Sequence, residues 1–241
     1  MTLPSAKRFW AALLLVAAVS GPRCAAHAGP PDYGLERATM VERLRSNGIR
    51  NEQVLAAISR VPRHLFVSGD HRAKVYEEVD VPVGDGLVLS RPYVVALSAQ
   101  LLDLKPGRRV LQIGAGCGYC AALLSEITPQ VYAVDMRGPV MRSAQARLRA
   151  LGYSTVLWRR GKACRGWPEN APYDAIFVSC AADHVPQELV EQLRDGGRMI
   201  IPIGRGPAQT LTCLRKTGGR LRSEVVMPIR VEPMVCQSGS P

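Results

Sequence analysis

The chain has 241 residues, with 31 Lys and Arg against 20 Asp and Glu for a formal charge of +11, and is 47% apolar but only 5% aromatic. That length suits one ordinary globular domain with an appendage, and 21% charged residues with apolar segments throughout exclude a disordered chain or a fibrous repeat. The arginines scatter over several expected helix faces without a basic run interleaved with aromatics, so the charge reads as solvated surface and nucleic acid is not an expected partner.

At the N-terminus, Lys7 and Arg8 precede an unbroken apolar run from Phe9 to Val19, and Ala26-His27-Ala28 offers a small-x-small cleavage site. The run falls well short of the roughly 20 residues a spanning helix needs, so residues 1–28 are expected to be a secretory leader rather than a membrane anchor. Gly21-Pro22-Arg23 before Cys24 does not form a lipoprotein box. The mature chain is expected to be exported, periplasmic or secreted, with no lasting membrane attachment, and it stays basic once Lys7, Arg8 and Arg23 are removed.

Residues 29–105 read as a helical and loop region. Met40, Val41 and Leu44, then Val54, Leu55 and Ile58, recur at helical spacing on either side of Ser46-Asn47-Gly48, with Asn51 placed to cap the second helix. Pro and Gly break residues 62–90 into short extended or loop pieces. A helix then opens at Pro92 and stops at Lys105-Pro106-Gly107.

From residue 106 to 241 strands and helices alternate. Strands are expected at 109–113, 131–134, 173–178 and 199–203, with helices at 118–127, around Val140, Ala144, Leu148 and Leu151, and at 186–193. Continuous apolar strands separated by helices predict a mostly parallel sheet covered on both faces, an α/β Rossmann-like arrangement. Segments 210–215 and 224–231, split by Gly218-Gly219, predict an antiparallel hairpin at the C-terminal edge.

The first of these strands runs into Gly114-Ala115-Gly116-Cys117-Gly118 and then a helix, a turn whose backbone a ligand can approach closely. The next strand ends in Asp135, placed to accept hydrogen bonds from ribose hydroxyls. The third glycine comes one residue too early for the dinucleotide fingerprint G-x-G-x-x-G, which favours a cofactor with one nucleoside and no pyrophosphate, S-adenosylmethionine being the common one. Of seven cysteines only Cys117 and Cys120 form a C-x-x-C; His64, His71 and His184 stand apart from the cysteines, so no metal centre is expected.

Across residues 38–235 the chain resembles the protein-L-isoaspartate O-methyltransferases. The resemblance rests on Val61-Pro62-Arg63-His64-Leu65-Phe66-Val67, Pro82-Val83-Gly84-Asp85-Gly86, Ser90-Arg91-Pro92-Tyr93 and Val110-Leu111-Gln112-Ile113-Gly114-Ala115-Gly116-Cys117-Gly118-Tyr119. Gly166-Trp167-Pro168, Ala171-Pro172-Tyr173-Asp174-Ala175-Ile176, Gln192-Leu193-Arg194-Asp195-Gly196-Gly197-Arg198 and Pro202-Ile203-Gly204 continue it. It implies a Rossmann-like methyltransferase core and methyl transfer from S-adenosylmethionine to the α-carboxylate of L-isoaspartyl residues in aged proteins, a repair step. It implies Ser90 beside the acceptor carboxylate, Leu87, Val88 and Leu89 along the peptide groove, and Gln112, Gly114, Ala115, Gly116, Gly118, Asp135, Lys162 and Ala163 around the cofactor. Protein or peptide partners bearing isoaspartate and a monomeric chain are expected. The family and its cytosolic cofactor supply imply a cytoplasmic location instead of export.

The chain departs from the family pattern at three places. Gln112 stands where an acid is usual, Leu87-Val88-Leu89 replaces Gln-Thr-Ile, and Gly161-Lys162-Ala163 replaces Gly-Asp-Gly; a lost acceptor toward the adenine amino group costs on the order of 1 kcal/mol. Two alternatives therefore stand beside methyl transfer. One is a non-catalytic relative that binds altered aspartyl segments. The other is a thiol-disulfide oxidoreductase built on Cys117 and Cys120, with thiols acidified by a helix N-terminus. A bare Ser90 before Pro92 also reads as a helix cap, and His64 as a structural residue against Phe66.

Overall fold

A computed structural model describes residues 33–236, so the leader expected at 1–28 lies outside the described residues. Among the described residues no helix is long and apolar enough to cross a membrane.

Helices α1 (Gly34–Ser46) and α2 (Glu52–Arg60) follow the expected spacing, burying Met40, Val41 and Leu44, then Val54, Leu55, Ala57 and Ile58. The Asn51 side chain accepts from the backbone N–H groups of Gln53 and Val54 at 3.0 and 3.3 Å, the expected cap. The segment read as loop contains a short antiparallel hairpin, β1 (Val81–Gly84) with β2 (Leu87–Leu89), and then α3 (Pro92–Leu102) begins at its proline.

Seven strands form the main sheet: β3 (Val110–Ile113), β4 (Val131–Asp135), β5 (Leu157–Arg160), β6 (Tyr173–Val178), β7 (Leu193–Arg205), β8 (Ala208–Thr217) and β9 (Arg220–Ile229), in spatial order β5-β4-β3-β6-β7-β8-β9. The first five pair in parallel, Val110 opposite Val131 on one side and Ala175 on the other; β8 and β9 return as the expected antiparallel hairpin. β3 and β4 are buried throughout and β6 nearly so, as continuous apolar runs require in a sheet covered on both faces.

Alternate side chains feed two cores. Val110, Ala133, Ala175 and Ile200 pack with α1 to α3 and with α4 (Tyr119–Ser125); Leu148 of α5 (Gly138–Ala150) joins them. Leu111, Ile113, Val134, Ile176 and Met199 pack with Leu189 of α6 (Gln187–Gln192) on the opposite face.

Three differences from the sequence expectation have physical reasons. β5 has no apolar run, because it is the sheet edge and Leu157 is half exposed. Two short 3-10 turns, Ala163–Arg165 and Pro168–Asn170, link it to β6 where a helix would be usual. β7 starts before Gly196-Gly197 rather than after it, since a register shift against β6 absorbs the glycines.

Candidate functional site

The chain runs outward from β3 through β4 to β5, then crosses back to place β6 on the other side of β3. That reversal opens a crevice beyond the carboxyl ends of β3 and β6. A cavity of about 320 Å³ lies there, lined by Gln112 and the Gly114–Cys117 turn, by Ser179 and Cys180 after β6, and by Leu87, Val88, Leu89 and Ser90 of the hairpin. A smaller cavity adjoins it, lined by Gly114, Asp135, Ala163 and Cys180. The topology thus brings together distant sequence positions, Ser90 and Glu232 among them.

The glycines of the turn have different duties. Gly116 adopts φ +52, its missing Cβ would meet nothing nearer than Leu87 Cδ2 at 3.7 Å, and its N–H donates to Asp135 Oδ2 at 2.9 Å. It leaves an open cradle of backbone. Gly118 sits at φ +91, and a Cβ there would be 2.7 Å from Leu148 Cδ1 and 3.2 Å from Ala144 Cβ. It is absent from the residues lining either cavity. Packing of α4 against α5 by itself requires a glycine there.

Asp135 is buried, and its carboxylate accepts from Gly116 N–H and, through Oδ1, from Arg137 N–H at 2.9 Å. A carboxylate has about four acceptor positions, so Asp135 can hold the turn and still receive hydroxyl donors from the cavity it lines. Ala163 faces that cavity, whereas Lys162 stands outside both. Gln112 is 1% exposed, and its Oε1 has no hydrogen-bond partner among the described residues. A buried amide oxygen lining a cavity is an acceptor awaiting a donor, because leaving it unpaired costs about 1–3 kcal/mol.

Ser90 does not cap α3. Arg91 holds the cap position, and the helix N-terminus is served from outside: Asp80 Oδ1 accepts from Arg91 N–H at 2.7 Å and Glu78 from Tyr93 N–H at 3.1 Å. Burial pushes the Glu78 carboxyl up, against the opposing pull of that N–H. The Ser90 hydroxyl is left to the cavity.

Arg63, which sequence reasoning passed over, is fully buried. Its Nε donates to Val75 O at 2.7 Å and an Nη to Ser90 O at 2.5 Å, and its guanidinium lies 4.8 Å from the Tyr119 ring centroid. An arginine inside an apolar run was the available signal. His64 contacts Tyr76 and Tyr33, with Nδ1 2.8 Å from the Tyr76 hydroxyl, while Phe66 packs on Tyr119 instead.

The two C-x-x-C thiols lack the acidity expected of a redox catalyst. Both pack against the core; burial pushes the Cys117 thiol up, and burial followed by its neighbour pushes Cys120 up to about 12.

The family model for "Protein-L-isoaspartate(D-aspartate) O-methyltransferase" matches residues 35–239. A protein-L-isoaspartate O-methyltransferase of Roseiflexus castenholzii is 43% identical over 204 residues, covering 85% of this chain and 94% of that one. A second protein of that name, from Hahella chejuensis, is 40% identical over 83% of this chain and 95% of its own. Among solved structures, one protein-L-isoaspartate O-methyltransferase superposes with a TM-score of 0.76 at 28% identity, covering 83% of this chain and 66% of its own. Another, a putative enzyme of that kind from Plasmodium falciparum in complex with S-adenosyl-L-homocysteine, gives 0.73 at 21% identity, over 83% and 99%.

Proposed function

Since the chain belongs to the protein-L-isoaspartate(D-aspartate) O-methyltransferase family, we propose that the crevice beyond β3 and β6 is where it methylates isoaspartyl residues of damaged proteins at the expense of S-adenosylmethionine. The observation that carries this reading is the buried, unpartnered Gln112 Oε1 in one cavity with the glycine turn and the Ser90 hairpin.

These residues suit the cofactor. Gln112 Oε1 can accept from an ammonium group, the open backbone at Gly114, Ala115 and Gly116 admits close approach, Asp135 can accept from ribose hydroxyls, and Ala163 offers an apolar wall. The family's usual acid at the adenine has no counterpart in Ala163 or in Lys162. When bound, the cofactor supplies an electrophilic methyl group.

The chain's own work is then positional. The acceptor carboxylate is ionised at neutral pH and needs no general base. Ser90 donates a hydrogen bond that aims one oxygen, while Leu87, Val88 and Leu89 exclude water. Arg63 is a positioning residue: it holds the Ser90 carbonyl from below and puts a buried positive charge under an anionic acceptor.

The substrate is a peptide or protein segment, with no nucleic acid, no stable membrane association, and one chain as the working unit. The N-terminal pattern of charge, apolar run and cleavage site supports an exported enzyme; N-terminal sequencing of the protein from fractionated cells tests this, and a cytosolic chain starting at Met1 would refute it.

Calorimetric titration with S-adenosylhomocysteine, then methyl-transfer assay on an isoaspartyl peptide, tests the assignment. Binding without turnover would favour the non-catalytic relative, and no binding at millimolar ligand would refute the cofactor site.

A further inference from the structure

Cys180 stands in the cavity wall it shares with Ser90, Cys164 and Cys236 line a neighbouring cavity, and the proposed methyl transfer uses none of the three. Cys180 follows β6 and its Sγ stands 3.4 Å from where a Gly114 Cβ would be. Cys164 occupies the 3-10 turn after β5, and Cys236 lies in the segment that follows β9. Cys164 and Cys236 are free thiols that line one cavity, and the Cys164 thiol is among the groups that push the Cys236 thiol up.

Each of these two sulfurs is brought in by its own anchor. Gln192 holds the Cys164 turn, its Nε2 donating to Arg165 O at 2.8 Å and its Oε1 accepting from Trp167 N–H at 2.7 Å. The C-terminal segment is held by Ala181, which donates N–H to Glu232 O at 2.8 Å and accepts from Met234 N–H at 2.6 Å. On its way to Cys236 this segment passes both cavities: Arg230, Val231 and Glu232 line that of Ser90 and Gln112, and Pro233 and Val235 that of Asp135. It forms one wall of the crevice, and the cysteine pair sits at its far end.

We propose that Cys164 and Cys236 are a disulfide-forming modification site that, when oxidised, ties the C-terminal segment across the mouth of the cofactor crevice. The effect on the cofactor rests on the methyltransferase reading; the disulfide itself does not. The oxidant is a low-molecular-weight disulfide such as glutathione disulfide. The Cys164 thiolate attacks one of its sulfurs, forming a mixed disulfide and expelling one small thiolate. The Cys236 thiolate then attacks the Cys164 sulfur, closing the protein disulfide and expelling the second. Two electrons pass from the cysteine pair to the reagent, and the two thiol protons end on the two small thiols. Burial, followed by the neighbouring Cys164 thiol, pushes the Cys236 thiol up to about 12, and the reverse order of attack gives the same products.

No third ligand completes a metal centre here, since among the described residues no three His, Cys, Asp or Glu side chains are grouped to hold an ion. Pair chemistry is what the geometry offers. The C-x-x-C pair is the rival, and its two thiols are packed against the core.

The full chain, treated with excess glutathione disulfide and digested with trypsin without reduction, gives the test. The expected product joins peptide 163–165 to peptide 231–241, two hydrogens lighter than their sum, and vanishes in Cys164→Ser and in Cys236→Ser. Stable glutathione adducts on both cysteines, a Cys117–Cys120 bond alone, or pairing of either residue with Cys180 would overturn the proposal. In the second arm, release of S-adenosylhomocysteine is followed by stopped flow. Oxidised protein is expected to release it about tenfold more slowly, reversibly with dithiothreitol, because a closed wall acts on the off-rate. An unchanged rate in the cross-linked protein would refute the tying of the crevice. Failure to bind this ligand in either redox state would refute the methyltransferase reading, with the peptide map still deciding the disulfide.

Discussion

Gly116 and Gly118 share a turn and a left-handed backbone, yet the structure gives alanine at the two positions opposite consequences. At Gly118 (φ +91) a methyl group would lie 2.7 Å from Leu148 Cδ1 and 3.2 Å from Ala144 Cβ, and both neighbours are essentially fully buried. The left-handed conformation costs an alanine roughly 1–2 kcal/mol and overpacking a closed site about 1–3 more, so Gly118→Ala should lose roughly 2–5 kcal/mol. At Gly116 (φ +52) the nearest atom would be 3.7 Å away, so only the backbone cost of roughly 1–2 kcal/mol applies. Urea unfolding of both variants, read at unchanged slope, measures the difference. Titration with S-adenosylhomocysteine completes the contrast: Gly116→Ala should weaken binding while folding well, and folded Gly118→Ala should bind almost normally. A stable Gly118→Ala with damaged binding would refute the division of labour argued for the turn.

Gln112→Leu should raise the stability of the free protein by about 1 kcal/mol, because it removes a buried acceptor without a partner, and should weaken S-adenosylhomocysteine binding about tenfold; thermal unfolding and calorimetry on one preparation check both signs. Arg63→Met should cost about 2–4 kcal/mol by orphaning the Val75 and Ser90 carbonyls. Arg63→Lys keeps the charge and loses the fork, so its KM for an isoaspartyl peptide should rise more than its affinity for S-adenosylhomocysteine falls. With the Cys120 thiol pushed up to about 12 from an ordinary 9, its native thiolate fraction at pH 8 is about a thousandfold below that of the unfolded chain. Alkylation there should be correspondingly slow and should climb with pH well past 9, as mass spectrometry of iodoacetamide-treated protein would show.

How much of this could be read from the sequence depended on whether the signal was local. Apolar runs in β3, β4 and β6 announce strands buried on both faces, and Asn51 and Pro92 mark helix starts that the structure reproduces. β5 escaped notice because an edge strand needs no apolar run, and the β1–β2 hairpin because its strands are three and four residues long. Within the site, the glycine turn and Asp135 were legible because a backbone approach and an acidic strand end leave marks in composition. Residues 179 and 180 could have been found from the switch-point argument, since they follow the strand beside β3. Nothing local marks the C-terminal segment 230–236, which is held at the crevice by distant residues, Gln209 at Val231 and Ala181 at Glu232 and Met234. At Gly118 a motif points to a ligand, and packing against α5 requires a glycine on its own account.

The central claim, that the Ser90 hairpin and the Gln112 turn form one methyl-transfer site, is tested most directly by radiolabelled methyl transfer to two peptides differing only in an isoaspartyl or aspartyl linkage, with wild-type protein and Ser90→Ala side by side. The account predicts base-labile label on the isoaspartyl peptide alone, and a loss in Ser90→Ala of roughly 10- to 100-fold in kcat/KM, the worth of a hydrogen bond to a charged group, with S-adenosylhomocysteine affinity unchanged. Equal labelling of both peptides, or full activity in Ser90→Ala, would contradict it.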